Sequence, residues 1–240
     1  MPVEIFERVL TQLQALDFCG RISPYLMNEP LLDKRLPELI AATRARCPGS
    51  WIAINTNGDA LSARLAHRLF DAGLNCLDVN AYDSSEQHVA HTRLATEVAM
   101  QRHDVVCHTG YLDPCFDDLT LPRATRIFHC RDMSDWEPRF RAAETVPHLT
   151  NRAGNVPQTR PLASPLASSC ERPFQQMYIN YRGEAVLCCN DWRFEVVMGD
   201  TATAPLAELW QNDLYRTYRR HLQQQDRRLP LCATCDYPGK

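Results

Sequence analysis

No apolar run in this 240-residue chain approaches the roughly 20 residues that a bilayer-spanning helix needs, so no membrane protein is expected. A signal peptide is missing too, because Glu4, Glu7 and Arg8 interrupt any apolar core within residues 1–16. The expected location is therefore the cytoplasm. There is no excess of positive charge. A net charge of -3 argues against non-specific nucleic-acid binding, which rests on neutralising phosphates. A second CxxC pair is lacking, which weakens a two-knuckle zinc ribbon. No CxxxCxxC triplet occurs anywhere, so no single loop supplies three closely spaced thiolates.

What is present is ordinary in bulk and unusual in its cysteines. The chain is 45% hydrophobic and 23% charged, values typical of a globular protein. Its length suits one large domain, or one domain with a small satellite. Eleven cysteines, odd in number and irregular in spacing, do not read as a disulfide framework. Cys19, Cys47, Cys76, Cys107, Cys115 and Cys130 stand singly and are expected to be small buried hydrophobes.

Four others form a pattern. Cys170 is followed by twelve residues and Gly183, then four more lead to Cys188. Cys232-Ala-Thr-Cys235 lies close to the end. Turn, strand and CxxC together can bring four thiolates to one point, where they would bind zinc or an iron–sulfur cluster. Spacing leaves both metals open. Cys189 adjoins Cys188, but neighbouring strand residues point to opposite faces, and the hairpin from Gly183 aims Cys188 at the centre.

The first half alternates helical and strand patterns. A helix over 3–16 carries Ile5, Phe6, Val9, Leu10, Leu13 and Leu16 on one face. A strand over 22–27, a helix over 33–46, a strand over 51–54, a helix around Leu61, Leu65 and Leu69, and a strand over 76–79 follow. This βα alternation predicts an α/β fold with a parallel sheet. The polar ends Asn28-Glu29-Pro30, Thr56-Asn57-Gly58 and Asn80-Ala81-Tyr82-Asp83 would then share one edge, where such sheets bind ligands. Each alone could be a turn or helix cap. A helix at 86–101 and strands at 104–108 and 126–130 are expected next. The boundaries read as 1–155 for the α/β part, 156–169 for a Pro- and Ser-bearing linker and 170–240 for a cysteine-bearing part. In the last, 177–179 and 185–187 flank a hairpin turn, a strand is expected at 195–198, and helices begin near 203 and 214.

The C-terminal part resembles the SPASM/Twitch auxiliary-cluster domain of radical S-adenosylmethionine enzymes. The likeness runs through Cys170-Glu171-Arg172-Pro173-Phe174, Gly183 to Asp191, Val197-Met198-Gly199-Asp200, Leu209-Trp210 and Cys232-Ala-Thr-Cys235. With no cysteine after Cys235, the chain resembles the single-cluster Twitch form. The resemblance implies one 4Fe–4S cluster on Cys170, Cys188, Cys232 and Cys235. Residues 16–32 resemble the second strand of the family's partial (β/α)6 barrel, here without its first strand. The family's Gly-Glu-Pro there binds the amino group of S-adenosylmethionine; Asn28 replaces the Gly, and Glu29 can still accept from an ammonium. Thr56 and Asn57 match the end of the next barrel strand. Asn151-Arg152-Ala153-Gly154 resembles a late NRxG motif, which makes Arg152 the candidate catalytic residue. A guanidinium stays charged, so a carboxylate clamp suits Arg152 better than a base.

In that family a CxxxCxxC loop before the first helix holds the cluster that cleaves S-adenosylmethionine. The chain as written lacks it and is expected not to generate the radical. A truncated start and a naturally degenerate protein both explain this, and the start at a helix boundary favours truncation. Two functions follow: a radical oxidase or crosslinking enzyme of a small molecule or peptide, served by an electron-donor protein, or a non-catalytic iron–sulfur or zinc module that recognises a partner. Nucleic-acid binding through Arg216, Arg219, Arg220, Arg227 and Arg228 is a weaker third, since such arginines usually form a solvated face.

Overall fold

The computed structural model describes residues 1–110, 125–133, 151–156 and 162–239. They form two compact units, one spanning residues 13–133 and the other joining residues 1–12 to the described residues from 151 onward.

The first unit is α/β. Its five strands are β1 (Arg21–Ile22), β2 (Trp51–Thr56), β3 (Cys76–Ala81), β4 (Val105–Thr109) and β5 (Arg126–Asp132), all paired in parallel. Their order is β1-β2-β3-β5-β4, so β5 lies between β3 and β4 and not beyond them. The helices are α2 (Leu36–Arg46), α3 (Ala63–Asp71) and α4 (Ser85–Gln101). Ser62 and Ser84 cap the last two, accepting from Leu65 N and Gln87 N at 3.2 Å each.

Alternation along each strand divides the sheet's faces. Ile52, Ile54, Leu77, Val79 and Phe128 pack with Leu36, Ile40, Leu69, Phe70 and Val98 of the helices. Full burial of each large side chain contributes about 1.5–3 kcal/mol. The opposite face begins apolar, with Trp51, Ala53, Cys76 and Ile127 in one cluster. One register step on it becomes polar: Asn55 pairs with Asp78, Asp78 with His129, and His129 with His108.

The second unit contains an antiparallel sheet of β6 (Tyr178–Ile179), β7 (Glu184–Val186) and β8 (Val197–Asp200). Around it lie the short α5 (Arg172–Gln175), α6 (Leu206–Trp210) and α7 (Asp213–Gln223). Ala185, Leu187, Val196, Met198, Leu209, Tyr215, Tyr218 and Leu231 form its core. The start of α1 (Val3–Ala15) belongs here: Gln12 Oε1 accepts from Leu206 N at 2.6 Å, and Arg8 donates to the Ala202 carbonyl. At Gly183, φ is +89°, and an added Cβ would meet Ile5 Cγ2 at 2.8 Å, so the hairpin turn and the packing of α1 both need glycine.

Several expectations need correction. The strand expected over 22–27 is only Arg21–Ile22, because Pro24 has no N–H to give a neighbouring strand and Tyr25 N turns back to Ser23 O at 2.8 Å. β8 runs through Gly199 instead of stopping before it. The sequence pattern puts Leu214, Tyr215, Tyr218 and Leu222 on one helical face, but Leu214 is 40% exposed and only the other three form the buried face of α7. Cys19 is exposed, and buried Cys76 is disulfide-bonded rather than a free thiol. Cys115 and part of the 156–169 stretch fall outside the described residues. No helix among the described residues is long and apolar enough to cross a membrane.

Candidate metal centre

Three pieces of the second unit converge on Cys235. The first is its own knuckle. Cys232 opens a 3₁₀ turn, Cys232–Thr234, and Cys235 N donates to Cys232 O at 3.2 Å. The second is the Asn151–Asn155 turn, where Arg152, Ala153 and Gly154 have φ of +49°, +55° and +82°. Two consecutive non-glycine residues in the left-handed region cost on the order of 1–3 kcal/mol each and persist only when over-determined. The constraints are visible. Asn151 N donates to both Asp236 oxygens at 2.7 and 2.8 Å, Asn151 Nδ2 donates to Thr234 O at 2.6 Å, and Thr234 Oγ1 donates to Ala153 O at 3.0 Å.

The third piece is the loop after β7. The buried Asp191 carboxylate closes it by accepting from Glu195 N and Val196 N at 2.8 and 2.9 Å. Asn190, 1% exposed, points the other way. Its Oδ1 accepts from Arg152 Nη1 at 3.2 Å, its Nδ2 donates to Cys235 Sγ at 3.5 Å, and its carbonyl accepts from Asn155 Nδ2 at 2.9 Å. Cys189 faces a different partner, since Arg172 Nη1 donates to its sulfur at 2.8 Å. The same guanidinium lies 3.9 Å over the Tyr237 ring.

Arg227, 2% exposed, straps the segment before Cys170 to the tail, donating to the carbonyls of Ser168, Ser169, Tyr237 and Pro238. Arg219 stacks on Trp210 and Tyr215 and donates to Pro173 O at 2.8 Å. Arg228 pairs with Asp226 and Arg216 with Asp213. The arginines read above as one solvated face are therefore not one, because Arg219 and Arg227 hold the cysteine segments together.

The thiols sense one another. Burial raises the Cys188 thiol, and neighbouring Cys189, Cys232 and Cys235 raise it further. Cys232 is pushed up to about 12 by burial, then by Cys235 and Cys170. Burial raises Cys170 as well. Such a crowd of desolvated sulfurs is unfavourable as bare thiolates and becomes favourable around a cationic centre. An all-sulfur donor set with an amide N–H on one sulfur fits an iron–sulfur cluster. Among the described residues, no three Cys, His, Asp or Glu side chains close around a single metal-ion position.

The first unit brings together three of its four candidate ligand-binding residues. Glu29 Oε1 accepts from Leu31 N at 2.9 Å and Thr56 Oγ1 at 2.5 Å, and its Oε2 accepts from Asn57 N at 2.9 Å. Asn28 stays apart; it is exposed, and its Oδ1 accepts from Leu26 N at 3.3 Å. The polar row across β2, β3, β5 and β4 was not foreseen. His129 Nδ1 stands 3.1 Å from Asp78 Oδ1 with both side chains fully buried, His129 Nε2 lies 3.0 Å from Gly110 O, and Arg131 donates to Asp78 at 3.2 Å. Polar residues at alternate positions of otherwise apolar strands, Asp78 with Asn80 and His129 with Arg131, were the available signal.

Residues 170–236 match the SPASM family, described as an iron–sulfur cluster-binding domain. The chain is 26% identical over 243 residues to the S-adenosyl-L-methionine-dependent 2-deoxy-scyllo-inosamine dehydrogenase of Niallia circulans, covering 98% of this chain and 80% of that protein. Among solved structures it is similar to BtrN in complex with AdoMet and 2-DOIA, with a TM-score of 0.72 and 24% identity over 98% of this chain and 80% of that one. It also resembles native anSMEcpe with bound AdoMet and Kp18Cys peptide, with a TM-score of 0.52 and 10% identity over 91% and 74% of the chains. Residues 170–236 are thus a SPASM iron–sulfur domain. Over nearly its whole length the chain is similar to an S-adenosyl-L-methionine-dependent dehydrogenase and shares its fold with the BtrN structure.

Proposed function

We propose that the chain holds one 4Fe–4S cluster on Cys170, Cys188, Cys232 and Cys235, and that it serves the radical oxidation of a hydroxyl group on a small polar molecule. Its relative's name supports that reaction class. A peptide substrate, as bound by the more distant anSMEcpe, is the second reading. The observation that carries the proposal is the meeting of the Asn151–Asn155 turn, the Asn190 loop and the CxxC knuckle at Cys235.

A cluster bound there supplies one-electron redox chemistry. The chain's own residues do the rest. Arg152, held by Asn190, keeps a permanent positive charge suited to clamping a carboxylate or orienting a hydroxyl oxygen. In the first unit, Glu29 keeps unused acceptor capacity beside Thr56 and Asn57, which suits the ammonium of S-adenosylmethionine. These 240 residues contain no CxxxCxxC triplet, so the test is put to cluster binding.

Anaerobic reconstitution with iron and sulfide is expected to load four irons and four sulfides per chain, as one 4Fe–4S cluster requires. Replacing Cys170, Cys188, Cys232 or Cys235 singly with Ala should sharply lower the iron content, whereas Cys189→Ala should retain it. Zinc alone in the loaded protein, or cluster loss confined to Cys189→Ala, would refute the ligand set.

A further inference from the structure

We infer that Asn190 is a positioning residue that ties Arg152 to the electronic state of the cluster, an inference that rests on the cluster proposed above. Asn190 is almost fully buried, and each end of its carboxamide has one partner: Arg152 at 3.2 Å and Cys235 Sγ at 3.5 Å. A guanidinium has donors and no acceptor, so the end facing Arg152 is the amide oxygen. The NH₂ end must then face sulfur. Arg152 thereby fixes the orientation of a hydrogen-bond donor aimed at a cluster ligand.

Nothing in this arrangement is free to turn. Arg152 sits in the left-handed turn anchored to Asp236 and Thr234, on either side of Cys235. Asn190 precedes Asp191, whose carboxylate locks the loop, and its own carbonyl accepts from Asn155. The backbone that carries the candidate substrate-binding cation and the backbone that carries the cluster ligand are therefore one hydrogen-bonded assembly. An N–H directed at a ligand sulfur withdraws electron density and stabilises the more negative, reduced cluster. Polarisation of the same amide by Arg152 strengthens that donor. With a cluster bound, Asn190 would raise its midpoint potential and so favour its taking up one electron.

The test uses the full chain, reconstituted anaerobically, with the cluster's midpoint potential followed by optical and electron paramagnetic resonance titration. Asn190→Ser shortens the side chain away from the sulfur, and Asn190→Asp keeps the shape but replaces the donor with an anion. Both are expected to hold full iron and to titrate at lower potential than wild type, Asn190→Asp lowest. An unchanged or raised potential in iron-replete variants would overturn the inference and leave the cluster assignment standing. So would loss of the cluster from both variants, because a positioning amide is dispensable to four intact thiolates. A wild-type protein that binds no iron would instead refute the cluster proposal itself.

Discussion

A single neighbour decides the role of several side chains here. Cys188 and Cys189 are chemically identical and adjacent, yet Cys188 senses Cys232 and Cys235 while Cys189 accepts from Arg172. Both lie in the loop beyond β7, which ends at Val186, so strand alternation does not govern their directions and the loop's own turns do. Asn190 had no signal in the sequence, because a lone asparagine after two cysteines looks like any turn residue. Asp104 shows residue-scale electrostatics away from the site. Hydrogen bonds from Arg102, then Arg126, hold its carboxyl down at about 2, with Arg102 Nε at 3.0 Å and Arg126 Nε at 2.8 Å. Its folded pKa lies below its ordinary value of 3.8, so its stabilisation is present above about pH 4 and is lost as pH falls towards 2. At 43% exposure the effect is solvent-screened and modest. Urea unfolding of wild type and Asp104→Asn should differ near neutral pH and converge near pH 2; a constant difference would refute the assignment.

At the scale of elements, helices and strands followed local pattern and their neighbours did not. The apolar runs of β2 and β3 are local properties, so they were readable, whereas the caps Ser62 and Ser84, which start α3 after Leu61 and α4 before residue 86, went unread. The insertion of β5 between β3 and β4 was not, since it depends on where a long connection returns. Gly183 is an element-scale constraint. Gly183→Ala places a Cβ 2.8 Å from Ile5 Cγ2 at a positive φ and should destabilise by about 1 kcal/mol or more. Gly154→Ala shares the positive φ, but its Cβ would meet Thr234 only at 3.7 Å, so its cost should be smaller. Thermal unfolding of both variants checks the order; equal losses would show that backbone strain alone matters at Gly183.

For the whole molecule, the two units draw their stability from different sources. The first has a continuous apolar core between sheet and helices, including Ile52, Leu77, Phe70 and Phe128. The second has short strands, a small core and several segments held by arginine-to-carbonyl bonds and the cysteine site. Metal that binds the native form and not the unfolded chain adds its binding free energy to folding. Oxidative removal of iron should therefore raise amide exchange across residues 170–236 while β2, β3 and β5 keep their protection. Exchange measured by mass spectrometry checks this, and equal loosening of both units would refute it.

The amino-acid sequence by itself determined the parallel α/β pattern, the cysteine spacing and the likeness to a cluster-binding family, because periodicity and motif spacing are properties of the chain read in order. Only the tertiary structure decided that Asn190 stands between Arg152 and Cys235, that Arg227 and Arg219 clamp backbone carbonyls, and that Asp78 and His129 meet inside the sheet. Those relations join residues up to 59 positions apart, and a hydrogen bond depends on distance in space, which no local pattern encodes.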